Sequence, residues 1–280
     1  MVQAARRRPP SRTVLLDRAI EALPLFRLSD SSEDSVVTFT ADNGGRWRVL
    51  PAPGERLPGT FDQDVYVELL RRFQEADAPA DGVLSFTLHA FLRSMGRRVD
   101  GRTYEQLRGA LARLERTVLE SDGAWVDASR RNAAPSTRFT LLSAVAIDRR
   151  RLTDRDQLAL FPALASNEPG DARITLAAPI RQNIAAGFVS SLVAPRYVAL
   201  FSPVARRLYR LIEAQRAGEG AQSWTLPLER LAELLPLSQR YPSHLQRVLQ
   251  PAHEMLVAGG IVKKARFEHE GRLWSVEYRF

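Results

Sequence analysis

The chain has 280 residues, of which 45% are apolar, so it can bury one large hydrophobic core or two ordinary ones. It contains no cysteine and no run of about 18 apolar residues, which excludes disulfides and thiolate chemistry and predicts no transmembrane helix. The formal net charge is +8, and nearly all basic residues are arginine, since Lys263 and Lys264 are the only lysines. This composition is typical of a cytosolic protein with a polyanionic partner.

Basic charge is concentrated in two parts of the chain. Residues 97–119 contain 6 basic and 3 acidic side chains, and residues 240–280 contain 7 and 4. Residues 20–96, by contrast, contain 7 basic and 12 acidic side chains. A GC-rich genome accounts for arginine in place of lysine but not for this placement, which favours a nucleic-acid-binding surface over an ordinary solvated face.

The N-terminal part predicts a tail, a hairpin and a helix. Residues 1–22 are basic and contain proline, and they lack the uninterrupted apolar segment of a secretory signal, so we expect a flexible tail. The runs VVTFT and RWRVL flank the turn DNGG and predict a β-hairpin. Asp62 or Asp64 is expected to cap a helix that extends to about residue 76. Its inner face is predicted to carry Val65, Leu69, Leu70 and Phe73.

The next part predicts a strand, two helices and a second hairpin. VLSFT is expected to form a short strand, and LHAFLRSMG a short helix that ends at Gly96. A helix of about four turns follows, because apolar residues recur there at intervals of three or four. They are Leu107, Ala110, Leu111, Leu114 and Val118. AWVDASR and TRFTLLSAVAI, joined by NAAPS, predict the hairpin. Residues 148–172 are charged and then contain proline and glycine, which indicates a linker.

The second half repeats this order. It predicts a helix in SPVARRLYRLIEAQ, a strand in SWTL, a short helix in LERLAELL and a longer helix in YPSHLQRVLQPAHEMLVAGG. A hairpin of IVKKARF and RLWSVEYRF follows. An offset of 138 residues pairs Leu107 with Leu245, Leu111 with Leu249 and Leu88 with Leu226. A constant offset with the same element order predicts a degenerate internal duplication.

The order helix, strand, helix, longer helix and hairpin is that of the winged-helix variant of helix-turn-helix. We therefore predict an α+β protein with two tandem winged-helix domains. Residues 1–22 form the basic tail, 23–147 the first domain with its N-terminal β-hairpin, 148–172 the linker and 173–280 the second domain.

The longer helix of each unit is expected to read DNA, and the hairpin to be the wing. Arginine suits guanine or phosphate and glutamine suits adenine, while a glycine leaves room for the groove wall. The candidates in the first unit are Arg102, Thr103, Gln106, Gly109, Arg113, Arg130, Arg131 and Arg138. Those in the second unit are Arg240, Tyr241, Ser243, His244, Arg247, Lys263, Lys264, Arg266 and Arg272.

Two alternatives and one irregularity accompany these candidates. The arginines could instead form surface ion pairs, and Lys263 with Lys264 could protect a strand edge from aggregation. Pro251 lies inside the second longer helix and is expected either to kink or to divide it.

Enzyme classes find little support. His89, His244, His253 and His269 have no metal-ligand spacing, and no phosphate-binding glycine-rich loop of the G-x-x-x-x-G-K type is present. The pair Asp62 and Asp64 is better explained by helix capping, and the pair 154 and 156 lies in the linker. We therefore expect no catalytic residue, no metal and no cofactor.

Several segments together resemble the bacterial and plasmid replication initiator protein A family. They are LPLFRLS, RLPGTFDQDVYVELL, GRTYEQLRGALARLERTVL, VARRLYRLIEAQ and WTLPLERLAELL, and their order matches too. The resemblance extends from about residue 23 to the end, except in the linker and wings. It implies a tandem winged-helix protein that binds repeated sites in double-stranded origin DNA, helps to melt them and recruits host replication factors.

The function expected from these observations is initiation of replication of a plasmid or secondary replicon, in the cytoplasm and associated with the nucleoid. Candidate partners are origin repeats, the host initiator, the replicative helicase and a second copy of the chain, but no membrane. A winged-helix transcription regulator is the alternative, and a protein-interaction role is a third hypothesis.

Overall fold

The computed structural model describes residues 12–28, 36–128, 136–147, 171–219, 222–239, 241–271 and 273–280. Helices and strands are mixed along the chain, so the fold class is α+β. None of the described helices is long and apolar enough to span a membrane.

The helices and strands of the described residues fall into two consecutive series. The first series is β1 (Thr13–Asp17), α1 (Arg18–Glu21), β2 (Val37–Thr40), β3 (Arg46–Leu50), α2 (Thr60–Glu75), β4 (Val83–Thr87), α3 (Leu88–Ser94), α4 (Gly101–Arg116), β5 (Val118–Asp122), β6 (Thr137–Phe139), β7 (Leu142–Ile147) and β8 (Asp171–Leu176). The second series is α5 (Ala178–Ala185), β9 (Val189–Val193), α6 (Ala194–Ala199), α7 (Pro203–Glu219), β10 (Ser223–Pro227), α8 (Leu228–Leu234), α9 (Pro242–Ala258), β11 (Lys264–Glu270) and β12 (Leu273–Arg279).

Two three-stranded sheets have the same topology. The strand order is β4-β8-β7 in one and β10-β12-β11 in the other, with antiparallel pairing throughout. In the first sheet β4, which lies between α2 and α3, pairs with β8, and in the second β10, which lies between α7 and α8, pairs with β12. Helices α2, α3 and α4 accompany the first sheet, and α7, α8 and α9 accompany the second. The same order of three helices and three strands therefore occurs twice.

The two series align at an offset of 140 residues in their central elements, not at 138. The bounds of β4 and α3 then coincide with those of β10 and α8. The predicted pair Leu88 and Leu226 is wrong, because Leu88 begins α3 whereas Leu226 lies in β10. Leu228, which begins α8, is the counterpart, and both leucines are buried. The two offsets differ by only two residues, and apolar residues are frequent in both segments, so the sequence alone does not distinguish them.

Most predicted elements of the first half are confirmed. The DNGG hairpin pairs β2 with β3, and Gly44 in its turn has φ of 81°, which favours glycine. The predicted inner face of α2 is buried. The helix begins at Thr60 and not at a capping aspartate, because Gly59 is the N-cap residue and Asp62 occupies the third helical position. There the Asp62 carboxylate accepts a hydrogen bond from the Gly59 amide at 2.6 Å.

The prediction of a flexible tail is wrong for residues 13–22. β1 pairs antiparallel with β9 over five residues, and α1 follows it directly. Val14, Leu16 and Ile20 are fully buried, so the apolar run TVLL supplies core side chains rather than a solvated tail. Residues 1–11 lie outside the described part of the chain.

The predicted first wing is also wrong in its pairing. β5 forms a four-stranded sheet with β2, β3 and β6 in the order β2-β3-β5-β6. β7 pairs with β8, whose first two residues were assigned to the linker. The second unit therefore does not begin at residue 173, because residues 171–176 complete the first repeated sheet. Residues 148–170 of the predicted linker lie outside the described residues.

A buried cluster of charges joins the start of the chain to α7. Glu21 is fully buried, and its carboxylate accepts from Arg207 Nη1 at 3.1 Å and from Arg210 Nε and Nη2 at 2.9 and 2.7 Å. Arg207 also donates to the Glu21 and Leu23 carbonyl oxygens. Burial lowers the pKa of Arg207 to about 10, so it remains charged at neutral pH.

A second buried junction lies at the end of β1. Asp17 caps α1 by accepting from the Ala19 amide at 2.9 Å, and it also accepts from Asn183 Nδ2 at 3.0 Å. Asn183 in turn donates to the Val126 carbonyl and accepts from the Ala128 amide. Burial raises the pKa of Asp17 from 3.8 to about 7, although its hydrogen bonds oppose the shift.

We predict that Glu21→Ala lowers the free energy of unfolding by about 3–5 kcal/mol, because it leaves two buried guanidinium groups without their anion. Glu213→Ala on α7 removes a partly exposed pair with Arg216 at 3.0 Å and should cost less than about 1 kcal/mol. Urea denaturation of both variants measures the difference. Equal losses would contradict a special role of Glu21.

Asp17 should make stability depend on pH. Its folded-state pKa is raised, so its contribution is fully present below the unfolded value and is lost as the pH rises through about 7. The free energy of unfolding should fall between pH 5 and 7 by up to about 1.4 kcal/mol per pH unit from this group. Asp17→Asn should flatten that decline in urea denaturation at pH 5, 6 and 7. Parallel pH profiles of variant and wild type would exclude Asp17 as the cause.

Candidate nucleic-acid interface

Helix α4 presents one buried and one exposed face. Its predicted apolar stripe is buried from Leu107 to Leu114, whereas Val118 lies beyond the helix in β5. Asp100 caps the helix, accepting from the Thr103 amide at 2.9 Å, and the Thr103 hydroxyl accepts from the Asp100 amide at 3.1 Å. The predicted DNA contact Thr103 therefore also serves to begin the helix at a fixed residue.

The first two turns of α4 carry the free polar side chains. Arg102 and Gln106 are exposed, and neither forms an ion pair or side-chain hydrogen bond within the described residues. Nearby Arg108 donates to Glu105 and is thus partly neutralised. The N-terminal turns of a helix that enters the major groove are those that reach base edges. This end of α4 meets that requirement.

Arg113, a predicted DNA contact in the C-terminal half of α4, is already paired with another residue of the protein. Arg113 forms a two-point ion pair with Asp62, with distances of 3.0 Å from Nε and 2.7 Å from Nη2. Asp62 is buried, and the Arg113 side chain is only 15% exposed. Gly109 lies beside this guanidinium, since a Cβ there would approach Arg113 Nη1 to 3.1 Å. The gap predicted for DNA at Gly109 is thus occupied by Arg113, and a DNA contact by either residue remains a prediction.

The predicted wing arginine Arg138 lies on the four-stranded sheet instead of a wing. Arg48, Glu120 and Arg138 are directly opposite one another on β3, β5 and β6. Glu120 pairs with Arg48 at 3.0 Å and with Arg138 at 3.5 Å, and both arginines remain about half exposed or more. Arg130 and Arg131 lie outside the described residues.

Helix α9 has its exposed polar residues at its N-terminal end. Tyr241 is the N-cap residue and is 70% exposed, and its ring meets that of His244 edge-on at 5.7 Å. Ser243, His244 and Arg247 are exposed in the first two turns. The buried face carries Leu245, Leu249 and Leu256. The N-terminal turns of α9, like those of α4, thus carry exposed polar side chains.

Pro251 is accommodated within α9, which runs without interruption from Pro242 to Ala258. His253, two residues after the proline, is buried, and its Nε2 lies 2.8 Å from the Tyr278 hydroxyl. Burial lowers the pKa of His253 to about 4, so its ring is neutral at physiological pH. No group of three His, Asp or Glu side chains in the described part of the chain could hold a metal ion.

The hairpin of β11 and β12 follows α9 as predicted. Lys263 and Lys264 are exposed at its base and form no ion pair with described residues. Arg266 is paired with Glu268 at 2.5 Å and Glu277 at 3.6 Å, so it contributes less free charge. Arg240 and Arg272 lie outside the described residues. Among the described cations of the hairpin, the unpaired ones are therefore Lys263 and Lys264, which lie nearest α9.

The sequence reasoning gave Asp62 and Asp64 only a capping role, yet they connect distant elements. Asp64 is buried and accepts from Arg97 at 2.9 Å, from the Tyr197 hydroxyl at 2.9 Å and from Arg206. Gln63 donates to the Pro203 carbonyl. The one sequence signal for these residues is that they lie in RLPGTFDQDVYVELL, one of the segments that carry the family resemblance.

The family model of replication initiator protein A matches residues 16–240. No curated protein matches the sequence. A solved structure of domains 2 and 3 of RctB is similar, with a TM-score of 0.60 and 13% identity over 94% of this chain and 98% of that chain. A second RctB structure gives 0.52 and 12% identity over 94% and 96%. These likenesses show a shared fold.

We predict that Arg113→Ala lowers the free energy of unfolding by about 2–3 kcal/mol, because the buried Asp62 carboxylate loses its cation. Arg102→Ala on the same helix should change stability by less than about 0.5 kcal/mol, since its side chain is exposed. Chemical denaturation of the two variants tests this contrast. An Arg113 variant as stable as the Arg102 variant would show that the ion pair adds no stability.

Proposed function

We propose, since the chain belongs to the replication initiator protein A family, that it binds double-stranded DNA sequence-specifically to initiate replication of a plasmid or secondary replicon. The observation that carries the proposal is the equivalence of α4 and α9. Each is the third helix of a repeated unit, and each leaves its N-terminal turns exposed with unpaired polar side chains.

We further propose that the repeated units are winged-helix domains related by duplication. The shared strand order β4-β8-β7 and β10-β12-β11 supports this, as does the common order of helices. In that arrangement the second helix of the helix-turn-helix pair enters the major groove and the hairpin lies beside it. α4 and α9 are then the reading helices, and the hairpins of β7–β8 and β11–β12 are the wings.

The exposed residues have the chemistry expected of base-reading helices and of wings that contact phosphate. Arg102 and Gln106 on α4, and His244 and Arg247 on α9, offer hydrogen bonds to base edges. Lys263 and Lys264 are compact charges that suit phosphate contact, which sets affinity and salt dependence rather than sequence preference. The protein acts without catalysis of its own, by holding repeated origin sites and favouring their opening.

The proposal also covers the protein's partners and its location in the cell. A cytoplasmic, nucleoid-associated protein that holds origin DNA would present host factors, such as the host initiator and the replicative helicase, to the opened strands. Homodimer formation on paired repeats is part of the proposal, because repeated sites bring copies of the chain together.

Footprinting on DNA that flanks the protein's own gene tests the proposed function. The expected result is protection of several direct repeats at spacings near whole helical turns. Protection of a single promoter-proximal site, without repeats, would favour a winged-helix transcription regulator. Absence of salt-sensitive binding to any duplex would refute both.

Substitutions distinguish residues that read bases from residues that contact phosphate. Arg102→Ala or Arg247→Ala should weaken binding to the protected repeat by about 1–3 kcal/mol and leave binding to random duplex nearly unchanged. Lys263→Ala should weaken binding to both duplexes alike and reduce the salt slope by about 1. Titrations at several salt concentrations measure both quantities. Equal losses on both duplexes for Arg102→Ala would remove α4 as a reading helix.

A further inference from the structure

A groove of about 1110 Å³ lies between α2, the α3–α4 turn and α6. It exceeds the volume of about 300–1,000 Å³ that small-molecule pockets usually have. Its apolar wall includes Val14, Val67, Met95 and Val198. None of the residues proposed above to contact DNA lines this groove.

The apolar wall continues to the surface at α6. Val198 is 63% exposed, and Phe201, two residues beyond the helix, is 85% exposed. Exposed large apolar side chains are few among the described residues, and these two lie within four positions of each other. A rim of this kind beside a concave wall is typical of a protein-binding surface.

The acidic and basic side chains that line the groove differ in their exposure to solvent. Its two carboxylates, Asp64 and Glu68, have side chains that are only 8% exposed. Asp64 is bonded to Arg97 and Arg206, and Glu68 to Arg71 and Arg72. Each anion is thus more than neutralised.

The cations, in contrast, reach solvent. The Arg97 side chain is 42% exposed. Arg12 lines the groove, is exposed, and forms no ion pair with described residues. An incoming chain therefore meets a positive rim around an apolar wall.

We propose that this groove binds a short segment of a partner protein in which aliphatic side chains are flanked by carboxylates. The aliphatic groups cover Val198 and the apolar wall, and the carboxylates pair with Arg12 and Arg97. Charge complementarity favours this occupant over a basic or purely apolar one. Nucleic acid fits less well, because phosphates and sugars offer nothing to the apolar wall. This inference goes beyond DNA binding and does not depend on it.

Fluorescence anisotropy with the full chain and three labelled twelve-residue peptides tests the proposal. The first peptide contains leucine and glutamate in helical periodicity, the second has lysine for glutamate, and the third has serine for leucine. The first should bind saturably and weaken with added salt, and the other two should bind at least about tenfold more weakly. Equal binding of the leucine–lysine peptide would overturn the charge argument.

Val198→Asp should weaken the leucine–glutamate peptide about tenfold, and Arg12→Glu several-fold. Val257→Asp is the matched control, because Val257 is also exposed, at 41%, but lies on α9. If Val198→Asp and Val257→Asp bound alike, the groove would not be the site. Light scattering that found a wild-type dimer lost in Val198→Asp would identify a second copy as the occupant and overturn the proposal, as would displacement of the peptide by random duplex.

Discussion

A carboxylate removed from water and shared by two arginines determines how the two repeated units meet. Glu21 is held by Arg207 and Arg210, which lie about one turn apart on α7, so both guanidinium groups pair with the one buried carboxylate of α1. The Coulombic attraction must offset the desolvation of three ionised groups, which leaves little tolerance for displacement. The benefit is one of geometry more than of stability, because an apolar contact would allow neighbouring arrangements at similar energy.

The start of α2 extends the same constraint through the rest of the molecule. Asp62 binds α4 through Arg113, Gln63 binds the start of α7, and Asp64 binds Arg206 and Tyr197. Three consecutive residues thus reach three different elements. These contacts hold α4 in a defined orientation relative to α7, and hence to the second unit. If two helices are to meet a DNA site of fixed spacing, a rigid relation between the units is the property that they require.

The sequence predicted what local periodicity determines. The apolar stripe of α4, the DNGG hairpin and the second-unit order from α7 to β12 follow from residues close together along the chain. Pairings across long separations were missed. β7 pairs with β8 across the segment predicted to be a linker. β1 pairs with β9, which follows the whole first series in the sequence. Nothing in the sequence of β7 or β1 indicates which strand it pairs with.

The candidate site shows the same division. Exposure of Arg102 and Arg247 could be predicted from helical periodicity, since they lie opposite the buried leucines. The ion pair of Arg113 with Asp62 could not, because it joins residues 51 positions apart. The family resemblance includes TFDQD within RLPGTFDQDVYVELL, and in the structure its polar residues connect α2 to α4, α6 and α7.

The pairing of β1 with β9 has a consequence for synthesis of the protein. Among the described residues β1 pairs with β9 alone, and β9 ends 180 positions after β1 begins. At about 5–20 residues per second, the ribosome needs roughly 10–35 seconds to deliver the second strand. During that interval β1 is an apolar strand with two open edges in the nascent chain. The first unit can assemble its own sheets meanwhile, but its attachment to α7 must wait until Pro203–Glu219 has also been made.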